Sequence, residues 1–477
     1  MPGNILFERG SRRPLFIFLA VAAASRLLFL TSKSMWADEA FTLIVTRPEL
    51  PEMLRLLRRL EVMPPLYFTA VHAWTPLFSD PLIAMRLFSV LCGLGAAAAF
   101  YFLARRTAPK EIFIALAMAA VSPYWVHYAQ DGRPYSMLLL MSLLATLALL
   151  RALERPSAGR IAAFGAATLA ALYTHYFFGF LAVTLWSVAL GHELRKGRPT
   201  APWLACGCVL SLCYFPWLGV MREQLALQEQ RNILTSRLGP AQLTHLIGTY
   251  FFDAAYLGML APGWIKGVGA AALACLAAAA ALARRRRAPV SFEILFLAIC
   301  FVVSFALMLA AEALRGGPVT DQRYVIILSP FAYLLVARSI GSFPGRLREA
   351  RWLVLGVMAA GLVGYYASNH YLDTRLAVMA KYLREKSAAS DPLVYLDQYY
   401  FLPMRYYYLP ERRHLALVDD IRSVNWRDLP GEPAMLSREG LKKIGPCVVV
   451  DPARRFASTA LWVSNGPQLA AALDQTK

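Results

Sequence analysis

Over the first three quarters of the chain, long apolar stretches alternate with short polar ones. The apolar stretches approach the roughly 20 residues that a helix needs to cross the hydrocarbon of a bilayer. Eleven such runs occur, at residues 14–31, 83–103, 112–127, 134–150, 161–173, 177–190, 201–220, 264–282, 292–311, 324–337 and 352–368. They predict a polytopic α-helical membrane protein with about eleven transmembrane helices. Small residues Ala22 to Ala24 follow a basic start, but the first run continues through Leu27 to Leu30 and reads as a span rather than a cleaved leader.

Three of the connecting segments are long: residues 33–81, residues 222–262, and everything after Tyr371. In the first, Glu52 to Leu60 places Met53, Leu56, Leu57 and Leu60 on one helical face and Arg55, Arg58 and Arg59 on another. That is the pattern of an amphipathic helix lying in the membrane interface. The apolar stretch Leu66 to Phe78 is too short to span and suits a second surface helix. After Asp373 the period changes. Thr374 to Lys386 is helical in pattern, Asp391 to Leu396 and Pro446 to Val450 read as buried strands, and Gln468 to Leu473 as a closing helix. The chain therefore divides into a transmembrane part, residues 1–372, and a small C-terminal α/β domain, residues 373–477.

Composition agrees: 58% of the 477 residues are hydrophobic and 17% charged, against about 45–50% and 25% in a soluble chain. The net charge of +19 could signal nucleic acid, but the basic residues sit between apolar runs. Arg9, Arg12 and Arg13, Arg105 to Lys110, Arg151 to Arg160, Arg195 to Arg198, Arg284 to Arg287 and Arg338 to Arg351 mark every second connection. The positive-inside rule makes those segments cytoplasmic. The N-terminus is then inside, and the three long segments and the α/β domain outside. The seven cysteines lie mostly in apolar runs and show neither a disulfide framework nor metal-ligand spacing.

Acids at a membrane edge are costly and are functional candidates by default. Asp38 and Glu39 follow the first span in Met35-Trp-Ala-Asp-Glu-Ala-Phe41, and Asp131 lies in the short hairpin Tyr128-Ala-Gln-Asp-Gly-Arg-Pro-Tyr135. Taken singly, Asp38 could cap a surface helix, and Asp131 could form an Asp-Gly turn paired with Arg133. Arg133 and Asp321-Gln-Arg-Tyr324 belong to the same exterior side. A carboxylate can accept a proton from an attacking hydroxyl, and arginine holds a departing phosphate with its planar fork. The set suits transfer from a phosphate-linked donor.

Ala37-Asp-Glu-Ala-Phe41, Met63-Pro-Pro-Leu-Tyr-Phe68, the Tyr128–Tyr135 hairpin and Gln322-Arg-Tyr324 followed by Pro330 resemble the GT-C superfamily of polytopic glycosyltransferases. More narrowly, the chain is similar to the bacterial branch related to protein O-mannosyltransferases and lipid A aminoarabinose transferases. The resemblance implies inverting transfer of a sugar from a polyprenyl-phosphate donor to an extracytoplasmic acceptor, in a bacterial inner membrane. It implies that Asp38 is the general base and that Glu39 binds acceptor or donor hydroxyls. Asp131 corresponds to the second-loop acid, with Arg133 and Tyr135 as its companions. The resemblance further implies that Arg323 with Tyr324 forms the donor-phosphate clamp, that Arg133 and Tyr135 fix Asp131 or touch phosphate, and that Tyr67 and Tyr135 lie at the substrate; His175, at a tight exterior turn, could touch the acceptor. A divalent cation, Mg or Mn, on Asp38 and Asp131 is the one cofactor the resemblance admits.

Two departures stand out: Met63 occupies a place where relatives often carry His or Lys, and Asp131 one where many carry Glu. A lipid-linked donor also fits the topology, because the acids are exterior and no Gly-rich phosphate loop is present. Interfacial aromatic belts are the competing account of His175, His72 and His127; Tyr399, Tyr400 and Tyr406 to Tyr408 could stack on sugars, with core packing and contact with the membrane surface as the default. A transporter or flippase is the rival class. It would place acids or broken helices near mid-membrane, whereas Glu293 and Glu312 fall at opposite ends of one run.

Overall fold

The computed structural model describes residues 13–231, 240–252, 262–285, 290–315, 322–367, 375–395, 398–417, 434–436, 442–444, 446–450, 461–465 and 468. The apolar runs all form helices. The transmembrane part begins with α1 (Arg13–Leu27), and the long segment that follows it folds into α2 (Ala37–Thr46), α3 (Leu50–Leu60) and α4 (Leu66–Trp74). There follow α5 (Pro81–Thr107), α6 (Ile112–Val121), α7 (Pro123–Ala129), α8 (Tyr135–Glu154), α9 (Ala158–Thr174), α10 (Phe178–Arg195) and α11 (Ala201–Arg231). Then come α12 (Pro240–Phe251), α13 (Pro262–Arg285), α14 (Phe292–Arg315), α15 (Ser329–Ser342) and α16 (Ala350–Ala367).

Seven described helices are long and apolar enough to cross a membrane, or eight if α6 and α7 count as one bent span. Of the eleven runs, α1, α9 and α10 are helical but, at 15, 17 and 18 residues, do not meet that length and apolarity. The spans differ in environment. α5, α8 and the helical stretch Tyr324–Ser342 are mostly buried within the protein, whereas α11, α13 and α16 expose most of their apolar surface. A 50° bend separates α6 from α7. Pro123 cannot donate to the preceding turn, and the Ser122 hydroxyl instead accepts the Trp125 N–H at 3.0 Å. The bend turns α7 so that Asp131 and Arg133, which follow it, are buried against the segment between α1 and α5.

The amphipathic helix α3 differs from its expected setting. Met53, Leu56, Leu57 and Leu60 are buried in the protein's own core, and the Leu57 carbonyl accepts from Gln224 at 2.8 Å. On the outer face, Arg58 forms an exposed fork to Glu223 at 2.7 and 2.6 Å. Periodicity fixed which face is apolar, but not that α11 extends far enough to cover it.

The C-terminal α/β domain carries a five-stranded sheet. Its strands are β1 (Leu393–Tyr395), β2 (His414–Leu417), β3 (Ala434–Leu436), β4 (Pro446–Val450) and β5 (Leu461–Asn465), in the order β3-β2-β1-β4-β5. The first four are parallel and β5 is antiparallel to β4. Both strands read from the sequence are present and central, as is the helix Arg375–Lys386. The closing helix expected at residues 468–473 lies, beyond Gln468, outside the described residues. A helical turn, Met404–Tyr408, joins this domain to the segment between α1 and α5. The Met35 N–H donates to the Tyr408 hydroxyl at 3.0 Å, and the Tyr407 hydroxyl donates to Asp80 at 3.0 Å. Asp80 also caps α5, so the tyrosine run braces the segment holding Asp38.

Helices α12 and α13 cross at two glycines. A Cβ added at Gly248 would strike the Ile265 carbonyl, and one at Gly269 the Thr244 carbonyl, while Gly267 faces open space. Gly269→Ala should therefore lower stability by about 1–3 kcal/mol through overpacking, and Gly267→Ala should not. Thermal unfolding of the purified variants checks this, and equal melting temperatures for the two would refute the close crossing.

Candidate active site

Helix α2 starts one residue before Asp38, so Asp38 and Glu39 both lie in its first turn, where the helix dipole favours negative charge. The two are successive, about 100° apart around the axis, and face different surroundings. Glu39 points inward and is fully buried. Arg86, from α5 and equally buried, holds it with a fork at 2.8 and 2.7 Å. The same guanidinium donates to the carbonyls of Leu30, Lys33 and Ser34 at 3.0, 2.9 and 3.1 Å. Glu39 also accepts the Gly132 N–H at 3.0 Å and reaches back to the Trp36 N–H at 3.4 Å. Burial alone would raise the Glu39 carboxyl. Arg86, Lys33 and the Gly132 N–H outweigh it and hold the carboxyl below its ordinary value.

Asp38 points outward and is about one third exposed, with Arg323 at 3.7 Å and similarly exposed. Arg323 lies just before the 3₁₀ turn Tyr324–Leu328 that leads into α15. The structure thus brings together the first-loop acid and the expected phosphate clamp from segments nearly three hundred residues apart.

Asp131 is buried, accepts the Trp36 indole N–H at 2.9 Å, and forms no ion pair among the described residues. Burial, with the nearby Glu39 charge, pushes its carboxyl up to about 6 despite opposing influences from Lys33 and Trp36. Arg133 is not its partner. The Arg133 backbone N–H closes the hairpin onto the Asp131 carbonyl at 2.8 Å. Its side chain turns instead to Glu61 at 3.2 Å and Thr42 at 3.0 Å. It also donates to the Met63 sulfur at 3.6 Å and lies over the Phe68 ring at 6.0 Å. Glu61, two residues before Met63, therefore supplies a charge close to the place where Met63 offers none.

An aromatic wall closes the site. Tyr324 stacks on Phe177 with ring centroids 4.1 Å apart, and His175 lies 5.4 Å from Tyr324 and 6.2 Å from Tyr135. The Phe177 N–H donates to His175 Nδ1 at 3.2 Å, which assigns the imidazole proton to Nε2. Burial first, then the Arg133 and Arg323 charges, push His175 down to about 3, so the ring is neutral at physiological pH. His175 Nε2, the Tyr135 hydroxyl and Arg133 Nε are buried and have no hydrogen-bond partner among the described residues. Buried polar groups are almost always paired, so these three donors stand out beside the partly exposed Asp38–Arg323 pair.

Tyr67 stands apart from this group: it is fully buried, with its hydroxyl 3.4 Å from Ser89, and packs against Phe68 and Phe88. His72 bonds the Thr46 carbonyl at 2.8 Å, and His127 packs among Tyr128 and Tyr365. Asp321 lies outside the described residues. Sequence reasoning passed over Arg86, Glu61 and Trp36. Arg86 carried a legible signal, as a lone charge inside an apolar run.

For a divalent cation the donor set is thin. Among the described residues no three His, Cys, Asp or Glu side chains stand together as metal ligands. Asp38 faces Arg323 and Asp131 accepts from Trp36, so substrate phosphate and water would have to complete a Mg shell.

Comparison with known proteins bears on the fold. A family model described as dolichyl-phosphate-mannose-protein mannosyltransferase matches residues 62–219, about a third of the chain. ArnT from Cupriavidus metallidurans, in the crystal structure bound to undecaprenyl phosphate, has a TM-score of 0.59 at 14% identity, covering 93% of this chain and 94% of that one. Its apo state gives 0.57 at 14% identity over 91% and 92%. No curated protein sequence matches significantly. The likeness to ArnT establishes the fold, and together with the family model it bears out the resemblance to the GT-C superfamily of membrane glycosyltransferases.

Removing one member of a buried, hydrogen-bonded ion pair strands the other and costs about 3–5 kcal/mol. Arg86→Met should destabilise the protein by that order, and Arg86→Met combined with Glu39→Leu should recover much of the loss. A double-mutant cycle on thermal or denaturant unfolding reads the coupling, and additive single effects would contradict the pairing.

Proposed function

We propose that this chain is an inverting glycosyltransferase that moves a sugar from a polyprenyl-phosphate donor to an acceptor on the extracytoplasmic side of a bacterial inner membrane. The observation that carries the reading is the cluster of buried, unpartnered donors on His175 and Tyr135 beside the half-open Asp38–Arg323 pair. Such a cluster fits a phosphate or sugar rich in acceptor oxygens. The structural likeness to a protein bound to undecaprenyl phosphate supports a polyprenyl-phosphate ligand.

In this reading the acceptor hydroxyl lies against Asp38, which takes its proton as the acceptor oxygen attacks the anomeric carbon. The bond from that carbon to the phosphate oxygen breaks, and polyprenyl phosphate leaves with the electron pair. Arg323, with the Nε2–H of neutral His175 and the Tyr135 hydroxyl, receives the growing negative charge. One displacement inverts the anomeric configuration. Glu39, closed off by Arg86, acts as a positioning residue that aims Asp38. Asp131 holds the hairpin against Trp36 and contributes negative charge near the oxocarbenium-like carbon.

Asp38→Asn should lower transfer by about a hundredfold to ten-thousandfold, the range for loss of a general base, with the fold retained. Release of polyprenyl phosphate from labelled polyprenyl-phosphate sugars, with cell-envelope extract as acceptor, measures it. Unchanged turnover in both Asp38→Asn and Asp131→Asn would sink the mechanism.

The Asp131 carboxyl is protonated below about pH 6 and ionised above it. Transfer should therefore fall as pH drops through 6. Trp36→Phe removes an N–H that favours the ionised form, so the midpoint of the pH–rate profile should move upward. A midpoint that stays in place in Trp36→Phe would show that another group governs the profile.

A further inference from the structure

Away from the site, an open groove of about 350 Å³ runs between α10 and α14. Its α10 wall includes Thr184, Ser187 and Gly191, and its α14 wall includes Phe292 and Val303. At one end the Ser304 hydroxyl donates to Thr184 Oγ1 at 2.9 Å and ties the two helices together. At the other end His192 lies against Phe292, with ring centroids 5.4 Å apart, and Arg195 completes the lining. From Thr184 to Arg195 the helix rises about 17 Å at 1.5 Å per residue, close to the depth of one leaflet in a hydrocarbon core of about 30 Å.

The charged end is cationic and open. Arg195 and Lys196 are exposed, and Arg195 forms no ion pair among the described residues. The nearest acid along the helix, Glu193, is buried and faces Arg198 at 3.8 Å. Phe292 and Val303 in the groove wall are exposed, so the apolar body of the groove is left for lipid to fill. A basic pocket between helices at the membrane surface suits an anionic head group.

We propose that this groove binds one anionic phospholipid, an acyl chain lying along Ser187 and Gly191 and the phosphate at Arg195 and His192. The site is separate from the sugar-transfer site and stands whether or not that reading holds. The lipid would fill the gap between α10 and α14 outward from the Thr184–Ser304 bond and strengthen their pairing.

The test uses the full-length protein purified in detergent, with phosphatidylglycerol and phosphatidylcholine of identical chains as probes. Native mass spectrometry should show one retained phosphatidylglycerol, and that lipid should raise the melting temperature more than phosphatidylcholine does. Arg195→Gln should weaken phosphatidylglycerol binding about tenfold or more. A Cβ at Gly191 meets nothing within 4 Å, so Gly191→Leu should fold normally, fill the groove and abolish the adduct. Equal stabilisation by the two lipids, or an undiminished adduct in Gly191→Leu with its lipid-free melting temperature unchanged, would overturn the proposal.

Discussion

The arrangement of the candidate site depends on the buried pair between Arg86 and Glu39. Taking a guanidinium and a carboxylate out of water costs several kcal/mol per ion, and their attraction repays this only when the remaining hydrogen-bonding positions are satisfied. Here they are: the Arg86 fork meets Glu39 and three carbonyls of the 30–34 stretch, and Glu39 adds the Gly132 and Trp36 N–H groups. One side chain on α5 thereby fixes the exit of α1, the start of α2 and the hairpin after α7. Because Asp38 shares the first turn of α2 with Glu39, locking Glu39 inward leaves Asp38 one direction, toward Arg323.

A second closed pair, Arg133 with Glu61, repeats the device on the other side of α2. Both pairs are buried and internally compensated, so they stiffen the site without leaving net charge to a ligand. The Asp38–Arg323 pair behaves differently: its 3.7 Å separation and partial exposure make it weak and easily opened. In the proposed reaction a phosphate entering beside Arg323 competes with Asp38 for the guanidinium, and displacing that contact frees Asp38. Asp131 has the Trp36 indole as its one hydrogen-bond donor among the described residues, so burial raises its carboxyl to about 6, while Arg86 holds Glu39, equally buried, below its ordinary value.

The helical spans were legible because a bilayer demands long apolar runs, and the eleven runs each became helix. The two strands at the centre of the C-terminal sheet were legible too, as short β-branched stretches after turns. The pairing inside the site was not. Arg133 stands two residues from Asp131, which makes an ion pair between them the natural reading. The backbone closure of the hairpin instead turns the Arg133 side chain away, toward a glutamate seventy-two residues earlier. Which of two adjacent acids faces inward is a question of tertiary packing, so Asp38 and Glu39 could not be told apart until α5 placed Arg86. Of the tail tyrosines expected in the core or at the membrane surface, Tyr407 and Tyr408 instead bond Asp80 and Met35 and brace the segment that follows α1.

The same economy explains why the polar chemistry sits where helices end. Within hydrocarbon every unpaired polar group is costly, so a charged site built along a span would need a closed partner for each charge. At the ends of α1, α7, α9 and the turn before α15, backbone is already irregular, and side chains reach one another across short loops. Trp36, Asp131, His175 and Arg323 come from those four places. The stacked Phe177 and Tyr324 rings join two of these ends, so the wall that carries the lone His175 donor is held in register with Arg323. A ligand that enters between them meets donors fixed before it arrives, and little side-chain entropy remains to be lost on binding.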